Sequence, residues 1–538
     1  MSGHECRGVG LPAAAAAGEN ARVRRPIPLL ATLVLLPLAP PGETPEAPAA
    51  AFATITEAEL KADLQRLAGP DMEGRDTPST GLSRAAAMIE ERFRAAGFTG
   101  AGKDGSFRLP FPVKVRVPDP EHCKLGVNGA GAKDFAYGTD FVPVAYAQGQ
   151  TSGEVVFLGF GIESNQDKYD DVRGELHGRV ALIVEGEPRH KRLFEGPDVS
   201  AAADLFDKLA VLEDQGVAAA LVVQRPAPGE EAAPPLSFRA TWANWPQAPA
   251  QAAPKEPKIP ALVITPAVAA ELVGQDVLAM AAKVDASGKE PKRIDTGKIV
   301  TVASASFRDH EASADNIVGL LPGSDPELAK QYVVVGAHYD HIGVDMRGRV
   351  GPGADDNGSG TVALLEVAQA LGAAKPRRSI LVCSFAAEED NLLGSRALCD
   401  SPPVPKDAMV AMLNMDQIGR GPTDLVAVLG LMENPSLDSL LDRALKLEPT
   451  KIKTVLRRKG QELYERSDHF NFHLMGVPAL FFFENLPLDE NKDYHTWRDT
   501  VDLVDIDKVA REARLVFNCA WLLATEDGRP PSPKKPSH

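Results

Sequence analysis

Apolar residues follow two different rhythms along this chain. From about residue 315 onward, short unbroken apolar runs alternate with longer segments of helical pattern. The runs "QYVVVGAH", "SILVCSF", "MVAMLNM" and "VPALFFFEN" predict strands buried on both faces. Between the first two, "GTVALLEVAQALG" predicts a helix closed by Gly372 and Pro376. That alternation predicts an α/β fold, with a mixed, mostly parallel sheet sandwiched by helices. "VAREARLVFNCAWLLATE" predicts a closing helix, followed by a Pro/Lys-rich tail over 526–538 that is expected to be disordered.

Nearer the N-terminus, "TITEAELKADLQRLAG" predicts a helix, with Thr56 and Glu59 spaced as a capping box. "GLSRAAAMIEERFRAAGF" predicts a second, with Met88, Ile89 and Phe93 on one side and Gly97 as its stop. From about 130 to 300 the texture changes. β-like runs such as "GEVVFLGFGI", "GRVALIVEG", "AAALVVQ" and "IPALVIT" alternate with loops, around one helix, "DLFDKLAVLEDQG". An Ala/Pro-rich stretch, 225–257, predicts an exposed loop, and its aromatic piece "SFRATWANW" is expected to pack locally or reach a cleft. The expected organisation is a leader and linker over 1–52, then the first part of the main domain over 53–130. A β-rich insertion over 131–300 and the rest of the main domain over 301–525 follow.

The leader has its own pattern. Arginines in "RVRR" precede an uncharged, mostly apolar stretch of about fourteen residues, Pro26 to Ala39, and A-x-A patterns follow. This is a secretory signal layout, with the natural start expected near Val23, and the run is short for a membrane span. The chain is therefore expected to be secreted or periplasmic, without stable membrane insertion after cleavage. An uncleaved anchor is the alternative. The 538 residues carry a formal charge of -16, which argues against nucleic acid as a partner. No CxxC occurs among the five cysteines, so a structural zinc knuckle is not indicated.

Polar residues at the strand ends carry the chemistry. His338 ends its strand, Glu388 and Glu389 follow the next, and Asp416 follows the third. His495 follows the last strand after a loop. In open α/β sheets, ligands bind at the carboxyl edge, so these distant residues are expected to meet in one crevice. Imidazoles and carboxylates without thiolate suit zinc or a similar metal better than calcium. Such an acidic group would repel itself unless protonated or neutralised by cations. No Walker loop, HExxH or G-x-S-x-G is present, so phosphoryl transfer and serine hydrolysis have no support.

Six pieces occur in order: "GAHYDH", "GADDNGSG", "SFAAEEDNLLGS", "NMDQIG", "RSDH" and "DYHTWRDT". With "LAGPDMEGRDTPSTG" upstream, they resemble the secreted co-catalytic zinc aminopeptidases, relatives of glutamate carboxypeptidase and the transferrin receptor ectodomain. The β-rich block resembles the protease-associated domain that some members insert, and the resemblance covers roughly 55–525. It implies a zinc-exopeptidase fold and two zinc ions per chain. His338, Asp355 and Asp416 would hold one, and Asp355, Glu389 and His495 the other, with Asp355 bridging. Asp340 would orient His338 from behind, and Glu388 would be the general base. A cis peptide is expected at Asp355–Asp356. Tyr464 is a candidate oxyanion donor, Asp499 a candidate brace for His495, and His341 and Asp356 either support the site or fill space. The Asn357-Gly-Ser sequon is read as a chance match.

The implied activity is hydrolysis of N-terminal residues from peptide substrates. A di-zinc carboxypeptidase or dipeptidase is the alternative on the same site, for which Arg420 and Arg466 are candidate carboxylate readers. A glutaminyl cyclase or a non-catalytic receptor-like protein is further off, since no ligand is missing. Oligomeric state and side-chain preference are not legible.

Overall fold

A computed structural model describes residues 48–144, 147–194, 200–226, 258–304, 307–344, 349–447, 449–457, 463–484, 491 and 493–533. The leader, the "SFRATWANW" stretch and the end of the tail lie outside them. Among the described residues, no helix is long and apolar enough to cross a membrane.

The expected strands Tyr332–His338, Ser379–Phe385, Met409–Met415 and Ala479–Phe483 all form. They lie side by side and parallel in the order 379–385, 332–338, 409–415, 479–483. Antiparallel strands flank this parallel centre: Phe307–Leu321 pairs with Ser379–Phe385, and Leu425–Leu429 pairs with Ala479–Phe483. The sheet is therefore mixed, with nine strands. Burial on both faces explains the unbroken apolar runs: Val333, Val334 and Val335 are all fully buried.

Helices cover the sheet. Glu57–Leu67 starts on Thr56, whose hydroxyl accepts from the Glu59 amide at 3.2 Å. Thr80–Ala95 buries Met88, Ile89 and Phe93. The long helix Ile506–Thr525 packs on Gly360–Ala374. Glu366, buried on Gly360–Ala374, accepts from the Thr56 amide at 2.8 Å and pairs with Arg92 at 2.8 Å, tying the early helices to this one. The expectation that Gly372 closes its helix is corrected. The helix runs to Ala374, and Lys375 takes the left-handed cap with φ of 56°. Gly372 is instead a place of close approach: a Cβ there would lie 2.0 Å from the Ala96 carbonyl oxygen.

Strands between Lys124 and Ser304 build a separate eight-stranded sheet with its own apolar core around Val180, Leu182, Leu221 and Leu262. The helix Leu205–Asp214 lies among them.

Candidate metal centre

The parallel strands converge their carboxyl ends on one spot. His338 is the last residue of its strand, and Asp416 follows Met415 directly. A pleated strand fixes its end residue rigidly, so both side chains inherit the sheet's precision. His338 Nε2 stands 3.2 Å from Asp416 Oδ1, 3.8 Å from Glu388 Oε2 and 3.4 Å from Asp356 Oδ1. A second group lies alongside. His495 Nε2 is 2.9 Å from Glu389 Oε2 and 3.1 Å from Asp356 Oδ2, while His341 Nδ1 is 2.8 Å from Glu389 Oε1. Each group could hold a metal ion.

The shared member is Asp356, not Asp355, and the expectation of a bridging Asp355 is corrected. One oxygen of Asp356 faces each imidazole group. Asp355 turns to the other side, where its Oδ1 accepts from the Gly419 amide at 2.8 Å and its carboxyl pairs with Glu484. The backbone leaves helical geometry at Asp356 and Asn357. The cis peptide also falls one residue later than expected, at Asp356–Asn357. Asn357 is fully buried, its side-chain amide donating to the Met415 carbonyl at 2.9 Å, which fits the reading of its sequon as chance.

Surrounding bonds hold these groups in place. Ser467 donates to Asp416 Oδ2 at 2.8 Å and itself accepts from Asn414 at 2.9 Å. Asp340 lies behind His338, with Nδ1 3.3 Å from its carbonyl oxygen and 3.6 Å from its carboxylate. The same carboxylate accepts from the Glu388 and Glu389 amides at 3.2 and 3.4 Å, so Asp340 also sets the acidic pair. Asp499 does not brace His495. It accepts from the amides of Asp355 and Asp356 at 3.0 Å each, and so carries the aspartate loop. Tyr464 is not aimed at the crevice: buried, its hydroxyl donates to the Ala479 carbonyl at 3.3 Å. In the "RSDH" piece, Ser467 serves the site, while His469 stacks on Phe481 in the core.

Arg75 is the residue that pattern alone does not reveal. It is fully buried and donates to the carbonyls of Leu67, Tyr339, Pro352 and Gly353, at 2.7 to 2.9 Å. The last three of those carbonyls adjoin His338 and the aspartate loop in sequence. The "GR" of "DMEGRD" was visible, but nothing in its spacing says what it reaches.

Charges confirm the strain of holding so much acid in one place. Burial works against a charged His495, yet Glu389 and Asp356 outweigh it and push its imidazole up to about 10. Burial likewise opposes ionised Glu389, but His495 and His341 hold it down at about 2. Burial, reinforced by Asp416 and Glu389 against the pull of His338, holds Glu388 well above the usual carboxylate range. Asp499 is pushed up to about 8 by burial and by Asp355. His495 Nε2 lies close to two carboxylates but forms no aligned hydrogen bond to either. His338 Nε2 and His341 Nδ1 are hydrogen-bonded to Asp416 and Glu389, and an acidic, thiol-free set whose ligand atoms lie within 4.8 Å of one another in each group fits a divalent metal of the zinc type.

A cleft opens beside these groups. Asp356, Glu388 and Asp416 line it, together with Leu463, Phe481, Phe483 and Tyr494. Arg466 also borders it, whereas Arg420 is engaged by Asp493 at 3.0 Å.

Known proteins share this frame. Residues 316–520 match the family model of peptidase family M28. The chain is 32% identical over 228 residues to a probable leucine aminopeptidase of Arthroderma otae, covering 41% of this chain and 61% of that one. It is 30% identical over 244 residues to leucine aminopeptidase 1 of Coccidioides posadasii, covering 43% and 61%. The chain thus spans less than two thirds of these relatives. A peptidase M28 precursor of Shewanella amazonensis shares the fold, with a TM-score of 0.51 and 16% identity over 90% of this chain and 98% of that one. The segment that carries both metal-type groups thus lies within residues 316–520, which are similar to peptidase family M28 and to proteins named leucine aminopeptidases.

Proposed function

We propose that this chain is a zinc-dependent aminopeptidase that removes N-terminal residues from peptides with two zinc ions bound side by side. The observation that carries the reading is the carboxylate of Asp356. Its two oxygens stand 3.4 Å from His338 and 3.1 Å from His495, so one side chain joins two ligand groups. His338 and Asp416 would complete one site, and Glu389 and His495 the other.

Bound zinc would supply Lewis acidity and a water of lowered pKa. The chain's own residues do the rest. Glu388 lines the cleft beside Asp416, with its Oε2 3.8 Å from His338 Nε2. It takes the proton of the attacking water and passes it to the departing amine. Burial and its acidic neighbours keep its proton affinity high, as a general base near neutral pH needs. Leu463, Phe481, Phe483 and Tyr494 offer an apolar wall to a substrate side chain. The relatives named leucine aminopeptidases agree with such a wall. Secretion, two ions rather than one, and a protease-associated role for the inserted sheet belong to the same proposal.

Arg466 on the cleft keeps a second reading open, a dipeptidase that also reads a terminal carboxylate. The deciding experiment measures zinc per chain and assays free-amine, N-blocked and C-amidated peptides. Two zincs with cleavage of free-amine peptides, amidated or not, is the expected result. Cleavage of blocked peptides would overturn the aminopeptidase assignment, and dependence on a free carboxylate would favour the dipeptidase.

A further inference from the structure

We infer that His341 is a direct ligand of the second metal, giving that site two imidazoles where the first has one. This rests on the two-metal reading above and adds a ligand that it does not require. His341 sits three residues past His338, beyond the end of the strand, and is almost completely buried. Its main-chain amide donates to the Arg75 carbonyl at 3.1 Å, which fixes the turn that carries it. Its ring lies against Gly353, where a Cβ would come within 2.5 Å of the imidazole carbons, so it has no room to swing away.

The ring presents Nδ1 to the site. Nε2 is buried without a hydrogen-bond partner, so Nδ1 is the nitrogen through which His341 acts. Nδ1 is 2.8 Å from Glu389 Oε1 and 3.9 Å from Asp356 Oδ2. On the far side, His495 Nε2 is 2.9 Å from Glu389 Oε2 and 3.1 Å from Asp356 Oδ2. Zinc bonds of 2.0 to 2.1 Å in a tetrahedron place neighbouring ligand atoms about 3.3 Å apart. The four observed separations bracket that value, and the ligand atoms of all four residues lie within 4.8 Å of one another. The His341 and His495 rings meet edge to face with centroids 5.6 Å apart. A core histidine that merely filled space would have no reason to put its one usable nitrogen at a corner of this figure.

The consequence is an asymmetric pair. The second metal gains an extra neutral nitrogen donor and is held more tightly than the first. The alternative is that Nδ1 only donates a hydrogen bond to Glu389, which would orient that carboxylate without touching the metal.

The test uses the full chain loaded with zinc. X-ray absorption fine structure of the wild-type protein should show three imidazoles shared by two metals, and needs no variant. His341→Ala and His341→Asn should each lower the affinity of the second metal at least about 10-fold by chelator competition. Both should also change the visible spectrum of the cobalt-substituted protein. Asparagine can still donate to Glu389, so it separates the two roles. Two imidazoles over two metals in the wild type would overturn the inference and leave the two-metal reading standing. So would a His341→Asn protein with wild-type affinity and cobalt spectrum. Uptake of fewer than two metals by the wild type would remove both.

Discussion

Arg75 Nε donates to the main-chain oxygen of Tyr339 at 2.7 Å, joining a residue near the N-terminus to the turn just past His338. Three more bonds reach Leu67, Pro352 and Gly353. The guanidinium therefore clamps both loops that flank the metal-type groups. Burial lowers it to about 10, while Asp499, Asp340 and Asp356 favour its charge. Hydrogen bonds from a charged donor contribute about 1.5–3 kcal/mol each, and carbonyls left unsatisfied add a penalty. Arg75→Met is expected to destabilise the protein by roughly 3–5 kcal/mol. Urea midpoints of the two proteins measure it. An unchanged midpoint would show that the clamp carries no stability.

The adjacent aspartates are expected to behave differently. Asp356→Asn removes a charge that faces both imidazole groups, so uptake of both metals should fall together. Asp355→Asn leaves both groups intact and alters the contacts to Gly419, Glu484 and Ser359. It should retain two metals per chain. Metal content by mass spectrometry after dialysis reads the difference. Equal loss in both variants would return the bridge to Asp355.

The sequence resolves strand ends well and loop direction poorly. His338 and Asp416 are fixed by apolar runs whose burial is obvious, so their place at the sheet edge follows from counting. Which of Asp355 and Asp356 faces the crevice depends on backbone angles in a glycine-rich turn, and no side-chain pattern encodes those. Asp499 and Tyr464 fail for a related reason. Each lies near the site in sequence, but its hydrogen-bond partners, backbone amides for Asp499 and the Ala479 carbonyl with the Asn434 and His473 side chains for Tyr464, are ones that one-dimensional patterns cannot name. Gly372 shows the reverse error. It reads as a helix stop because glycine often is one, yet it serves a close approach to Ala96.

Glu388→Gln is the sharpest test of the chemistry. The amide is nearly isosteric, so the cleft and both metal-type groups should persist. General-base catalysis contributes about 10²–10⁴-fold, and kcat should fall by at least that much with zinc content unchanged. KM should move little, because the apolar side chains of Leu463, Phe481, Phe483 and Tyr494 that line the same cleft are unchanged. Retention of near-normal kcat would place the base elsewhere.

Stability without metal should depend on pH in a definite direction. Burial raises Asp355 from 3.8 to about 6, and burial with Asp355 raises Asp499 from 3.8 to about 8. His495 rises from 6.5 to about 10, because Glu389 and Asp356 overcome the cost of burying its charge. Each of these groups holds a proton more firmly folded than unfolded. Their contribution is therefore complete below the unfolded values and is lost as pH climbs through the folded ones. Glu389 runs the other way, but its folded value of about 2 confines that effect to acid below its ordinary 4.5. Between pH 5 and pH 9 the metal-free protein should lose stability steadily, since the window spans the folded values of Asp355 and Asp499 and the rise of His495. The slope is about 1.4 kcal/mol per pH unit for each whole proton of difference. Zinc should flatten or reverse the trend, because metal binding displaces the same protons and strengthens as pH rises. Thermal melts with and without chelator across that range measure both curves, and a metal-free protein that grows more stable toward pH 9 would contradict the charge arrangement described for the site.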